Sequence, residues 1–143
     1  MTVELISVGT ELLMGNIVNS NTQFLAEKCA MLGLDMYYQV TVGDNYGRMK
    51  EVVKTALGRS DIIILTGGLG PTEDDLTKEV CADVMGMELV EDIHTRKHLE
   101  AFFEHNIYRE IPDNNWKMAT VPSGALVLDN GNGMACLLYT SPS

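Results

Sequence analysis

The chain has 143 residues, 45% of them hydrophobic, which is enough for one domain with a real core and too few to expect two. Twenty acidic against ten basic residues give a net charge of −10, and no stretch is rich in Lys and Arg, so a nucleic-acid partner is not expected. Cys29, Cys81 and Cys136 lie far apart and form no CxxC pair, there is no basic and apolar leader, and no apolar run reaches the ~18 residues of a membrane span, so the expected setting is cytoplasmic, without a membrane partner.

In chain order, residues 3–8 predict a first strand. Residues 21–33 predict a helix with Phe24, Leu25, Ala26, Cys29 and Leu32 on or near one face and Gly33 as its stop. A second strand is expected over 36–42. Met49, Val52, Val53, Ala56 and Leu57 then recur at helix spacing over 46–58. Residues 62–65 are wholly apolar, the pattern of a strand buried on both faces of a parallel sheet. A helix over 73–85 follows, stopped at Gly86, and a longer one runs from about 92 to 105. Residues 125–128 predict a late strand. The fold class is therefore α/β, with a mainly parallel sheet, helices on both faces and right-handed crossovers. Ligands of such folds bind beyond the carboxyl ends of strands. The loops over 9–21, 43–46 and 66–75 are thus expected at one edge.

The third of these loops is the most informative. Thr66-Gly67-Gly68-Leu69-Gly70-Pro71-Thr72-Glu73-Asp74-Asp75-Leu76-Thr77 leaves an apolar strand and opens the predicted helix, with Thr72 or Asp74 as a candidate cap. Without side chains at Gly67, Gly68 and Gly70, backbone N–H groups can approach a ligand, and phosphate suits such a place. Glu73, Asp74 and Asp75 set three negative charges beside it. A divalent metal ion bridging carboxylates and phosphate oxygens resolves that repulsion. The plainer alternative is a helix cap with acidic residues in the first turn, favoured by the dipole alone. Neither a Walker loop nor the dinucleotide fingerprint is present.

Other polar positions carry two readings each. Glu11 is a candidate metal or substrate ligand, or a solvated loop carboxylate. Asn19-Ser20-Asn21-Thr22 reads as an N-cap cluster whose place at a sheet edge also suits ligand contact. Asp44 either turns the chain or faces the ligand. Lys117 could reach a phosphate, or lie in a surface turn with Trp116 packed inward. His94, His98 and His105 share one side of a helix, but Thr95 stands where a metal-binding HExxH would need Glu.

Gly9-Thr10-Glu11-Leu12-Leu13-x-Gly15, Asn19-x-Asn21, Val42-Gly43-Asp44, Thr66-Gly67-Gly68-Leu69-Gly70-Pro71-Thr72-x-Asp74-Asp75-x-Thr77 and Asn114-Asn115-x-Lys117 occur in that order. Together they resemble the N-terminal domain of the CinA competence/damage-inducible proteins, in the molybdopterin-binding MoaB/MogA-like superfamily. The resemblance implies a three-layer α/β/α fold over residues 1–135. It implies metal-dependent hydrolysis of the pyrophosphate of ADP-ribose to AMP and ribose 5-phosphate. The alternative it leaves open is a molybdopterin or pterin-phosphate binding module without turnover, part of a longer protein linked to nicotinamide mononucleotide deamidation by a domain outside this chain. Under the hydrolase reading Asp74 and Asp75 are catalytic, and Glu11, Asp74 and Asp75 hold the divalent ion. Thr66, Gly67, Gly68, Gly70, Thr72, Thr77, Asn21, Asp44 and Lys117 bind substrate. The partners are then a small nucleotide or pterin phosphate, with a homo-oligomer allowed for. Met118 departs from the family's Gln, and residues 136–143 depart from its Pro-Gly continuation, so they are expected to be a non-native tail on a fold incomplete at its C-terminus.

Overall fold

A computed structural model describes residues 1–105, 110–133, 135 and 137–139. The chain divides into two units, Met1–Gly68 and Leu69–Ser143.

The first unit contains β1 (Thr2–Val8), α1 (Thr10–Leu13), α2 (Ser20–Met31), β2 (Asp35–Val42), α3 (Tyr46–Leu57) and β3 (Ile62–Thr66). Its strands form one parallel sheet in the order β2-β1-β3. The chain moves from β1 outward to β2, then back across β1 to β3. Right-handed crossovers in opposite directions place α2 and α3 on opposite faces, giving three layers. Side chains of the central strand mark the two faces. The Ser7 hydroxyl lies 2.9 Å from that of Thr22 on α2. Glu4, pointing the other way, meets Arg59 and Ser60 just beyond α3.

Expected strand and helix positions hold closely in this unit, but their burial does not. From Val3 to Val8 every residue of β1 is buried, Glu4 and Ser7 included. Apolar β3 is only half-buried at each position, because it is an edge strand within its unit. On α2 only Cys29 is buried; Phe24 is 58% exposed under the Lys28 ammonium, and Leu32 is 76% exposed. The buried Glu4 carboxylate is satisfied by a two-pronged Arg59 contact at 2.6 and 3.1 Å and by the Ser60 hydroxyl at 3.0 Å. Arg59 in turn lies over the Tyr38 ring, 3.5 Å from its centre.

The second unit contains α4 (Thr77–Met85), β4 (Leu89–Glu91), α5 (Ile93–Glu104), a 3-10 helix (Asp113–Ala119), β5 (Thr120–Pro122), β6 (Leu126–Leu128) and β7 (Leu137–Tyr139). Its strand pairs, β4 with β5 and β6 with β7, are antiparallel, which the β-α alternation did not foretell. Helix α5 starts where expected: Asp92 caps it by accepting from the Thr95 amide at 2.8 Å and hydroxyl at 2.6 Å. Helix α4 starts four residues later than the predicted 73, behind Leu76 rather than a Thr72 or Asp74 cap. Trp116 lies half-buried in the 3-10 helix with the Arg96 guanidinium 4.9 Å from its ring centre. His94 and His98 serve structure: their rings bond Asp129 at 3.0 Å and the Gly133 carbonyl at 3.1 Å. Of the expected tail, residues 136 and 140–143 lie outside the described residues, while Leu137–Tyr139 form β7. No helix among the described residues is long and apolar enough to cross a membrane.

Candidate functional site

All three parallel strands end at the same edge of the first unit, where the loops expected to meet begin. Gly9 donates its amide to the Val42 carbonyl at 2.9 Å. Thr10 and Asp44 then hold each other reciprocally: the Thr10 amide reaches the Asp44 carboxylate at 3.2 Å, and the Asp44 amide reaches the Thr10 hydroxyl at 3.1 Å. Asp44 thus pins two loops together while Asn45 caps α3 through the Arg48 amide at 3.0 Å. Glu11 is exposed, and its carboxylate folds back over Gly9, where an added Cβ would lie 2.6 Å from Oε1.

Asn19 caps α2 by accepting from the Thr22 amide at 3.3 Å, and its own amide group donates to the Ser7 hydroxyl at 2.9 Å. That network fastens the helix start to the end of β1. Asn21, one of the predicted substrate contacts, stays exposed in the first turn.

At the end of β3, half-buried Thr66 leads into two glycines with positive φ, 88° at Gly67 and 68° at Gly68. L side chains rarely adopt this region. At Gly67 space is also lacking, since a Cβ would stand 2.1 Å from the Val8 carbonyl oxygen.

In the second unit the loop closes on itself. Asp75 Oδ2 accepts from the Thr72 amide at 2.9 Å and the Thr72 hydroxyl at 2.6 Å, while the Asp75 amide donates to the Thr72 carbonyl at 3.2 Å. Gly70 also gives its amide to Asp75. The glycine is required there because the carboxylate occupies the side-chain space, 2.7 Å from the position of a Cβ. Partial burial pushes the Asp75 carboxyl up; the bonds from Thr72 and Gly70 and the Lys117 charge outweigh it and hold its pKa below the ordinary value. Glu73 and Asp74 are exposed. The acidic triplet is therefore not uniform: one carboxylate braces the loop and two face solvent.

Lys117, expected to reach a phosphate, here donates to the Thr72 carbonyl at 2.8 Å and to the Asp75 carbonyl, with Glu79 Oε1 at 3.5 Å. Thr77, expected to bind phosphate, is buried in the first turn of α4. The sequence reading missed Lys78. It is 3% exposed and donates to the carbonyls of Lys117 at 2.8 Å and Thr120 at 2.7 Å. The only sequence signal was a lysine in an otherwise buried-looking helix start. Among the described residues no group of three or more His, Cys, Asp or Glu side chains is placed to hold a metal ion.

Residues 4–138 match the family model described as a probable molybdopterin binding domain. The "Putative competence-damage inducible protein" of Caldicellulosiruptor bescii is 53% identical over 135 residues, covering 94% of this chain and 33% of that protein. Its namesake in Thermoanaerobacter pseudethanolicus is 52% identical over 132 residues, covering 92% and 32%. The chain thus spans about a third of the length of these curated relatives. Among solved structures, the CinA protein of unknown function from Thermoplasma acidophilum superposes with a TM-score of 0.88 at 28% identity, covering 96% of this chain and 79% of that one. The molybdopterin biosynthesis enzyme MoaB of Thermus thermophilus shares the fold at a TM-score of 0.57 and 17% identity, covering 96% and 78%.

Proposed function

This chain belongs to the family of probable molybdopterin binding domains, and from that premise we propose that it binds a small phosphate-bearing pterin of the molybdopterin class at the loop over residues 66–77. The observation that carries the reading is the backbone at Gly67 and Gly68. Positive φ at both makes a turn without side chains at the end of β3, and the Gly68 N–H is the main-chain donor we assign to an anion. Thr66 at the end of β3 and Asn21 in the first turn of α2 add polar groups at that edge of the parallel sheet, and Asp44 keeps the edge in register with the first loop.

A phosphate beside Glu73 and Asp74 calls for a cation. Donors this sparse suit a magnesium-type ion, which takes one or two carboxylates and completes its shell with phosphate oxygens and water. Asp74, exposed beside the braced Asp75, is the carboxylate we assign to it. Such an ion supplies charge neutralisation at the phosphate.

The second reading, hydrolysis of the pyrophosphate in ADP-ribose, is favoured by the exposed Asp74 alone. There water would attack one phosphorus, the bridging P–O bond would break, and AMP and ribose 5-phosphate would leave, with Asp74 accepting the proton of the water. One experiment separates the two. The protein is titrated with a molybdopterin-class pterin phosphate, and in parallel incubated with ADP-ribose and magnesium and assayed for AMP by chromatography. Saturable pterin binding without AMP supports the binding module. AMP release establishes the hydrolase, and neither result would leave both readings without support.

A further inference from the structure

We propose that Lys117 is a positioning residue for the glycine loop, a latch that gathers two loop carbonyls and so fixes the shape in which the loop receives a phosphate; this rests on the anion-binding reading above. An ammonium offers three donors and no acceptor. Two of the donors here meet the carbonyls of Thr72 and Asp75, and Glu79 Oε1 stands 3.5 Å from the nitrogen. The bonded carbonyls belong to the two residues that brace each other through the Asp75 carboxylate. The latch and the brace therefore close the same four-residue turn.

The lysine is itself held in place. Its carbonyl accepts from buried Lys78 at 2.8 Å and from the Thr120 hydroxyl at 2.8 Å, so the 3-10 helix that carries it is anchored to the start of α4. Glu79 presents one oxygen to Lys117, and its other oxygen is buried without a hydrogen-bond partner. An acceptor left unpaired there costs free energy, and the Lys117 ammonium beside the other oxygen offsets part of it. The Lys117 and Glu79 side chains are only 24% and 22% exposed, so their attraction is screened less than that of a surface pair.

A latch and a direct phosphate contact predict opposite signs at Glu79. If Lys117 bound phosphate itself, Glu79→Gln would release it from a competing charge and tighten anion binding. If Lys117 shapes the loop, Glu79→Gln unfixes it and binding weakens. The test uses the full chain and inorganic pyrophosphate with magnesium, followed by calorimetry. We expect Lys117→Met to weaken binding about tenfold, the equivalent of ~1.4 kcal/mol, and Glu79→Gln to weaken it by a smaller factor in the same direction.

Amide exchange supplies a readout that needs no ligand. In both variants the amides of Gly70, Thr72 and Asp75 should exchange faster, while those of Val80 and Ala82 inside α4 keep their rates. Tighter binding in Glu79→Gln, or unchanged exchange at the three loop amides, would overturn the latch. If wild type fails to bind pyrophosphate, the anion-binding reading falls and the exchange measurement decides the latch alone. Should Lys117→Met not fold, Glu79→Gln carries both measurements.

Discussion

Gly67 and Gly70 stand in one short loop and look equivalent in sequence, yet different forces require them. At Gly67 the constraint is the main chain: φ is 88°, and a Cβ would stand 2.1 Å from the Val8 carbonyl oxygen. At Gly70 the constraint is a side chain, the Asp75 carboxylate, which takes both the space and the amide. A glycine required by main-chain crowding and one whose N–H is given to a side chain cannot be told apart by counting glycines.

The comparison breaks first at Gly67. A backbone oxygen cannot yield as a flexible side chain does, so Gly67→Ala should cost more than about 3 kcal/mol or prevent folding. Gly68→Val meets strain from positive φ, roughly 1–3 kcal/mol, and should fold while losing phosphate affinity. Denaturant melts and pyrophosphate titrations of both variants check this. A Gly67→Ala protein of wild-type midpoint would show that the loop has another accessible path.

At Gly70 a smaller loss is expected, because the group met by a Cβ is the end of a rotatable side chain. Gly70→Ala and Asp75→Asn should each destabilise by about 1 kcal/mol. Since both remove one brace, the double variant should cost little more than either single one. Full additivity in a double-mutant cycle would separate the two residues. Asp75→Asn removes one charge from an acidic cluster, yet a net loss of stability is expected. The bonds from Thr72 make that carboxylate a structural acceptor.

What the sequence disclosed was periodic or punctuated. The first three strands, their common carboxyl edge and the helices over 46–58 and 92–105 were legible because their apolar spacing and stop residues span many positions. The family was legible from the motif over residues 66–77. Burial was not, since it depends on strand order: Glu4 and Ser7 mark β1 as polar, yet β1 is central and β3 is at an edge of the first unit. Three-residue strands β4 and β5 carry too little period to be seen, and Pro122 in β5 masks them further. The roles of Asp75 and Lys117 were hidden for another reason. Both residues bond to the loop's own backbone, and a sequence shows which charges are present but not which carbonyls they meet.

The Asp75 brace also fixes a pH dependence that should be absent from Gly67. Bonds from Thr72 and Gly70 and the charge of Lys117 lower the folded-state pKa, although partial burial raises it. A lowered carboxylate pKa means that the unfolded chain binds the proton first as pH falls. The stabilisation is therefore complete above the ordinary Asp value and is lost as pH drops through the folded value. Wild type should melt higher than Asp75→Asn at neutral pH, with the gap closing below the ordinary Asp range. A gap that is constant down to strongly acidic pH would mean that the carboxylate charge is not what holds the turn. Gly68→Val, compared over the same range, should keep a constant deficit.

The smallest effect on stability is expected next door, at Asp74. Its side chain is exposed, and surface substitutions away from caps and buried networks usually change stability by less than about 0.5 kcal/mol. Loss of one negative charge beside Glu73 and Asp75 changes folding little for the same reason, because water and salt weaken repulsion between exposed charges. Any effect of Asp74→Asn should thus appear only when ligand and divalent ion are present. Under the binding reading, the variant should lose the magnesium-dependent part of phosphate affinity and keep the part supplied by backbone N–H groups. Under the hydrolase reading, AMP release from ADP-ribose should fall by about 100-fold or more, the usual contribution of a positioned general base. Titrations with and without magnesium, set beside the melting curve, read all three quantities from one protein. A large stability loss in Asp74→Asn would erase the contrast with Asp75, and equal magnesium dependence in variant and wild type would remove Asp74 from the ion's ligands.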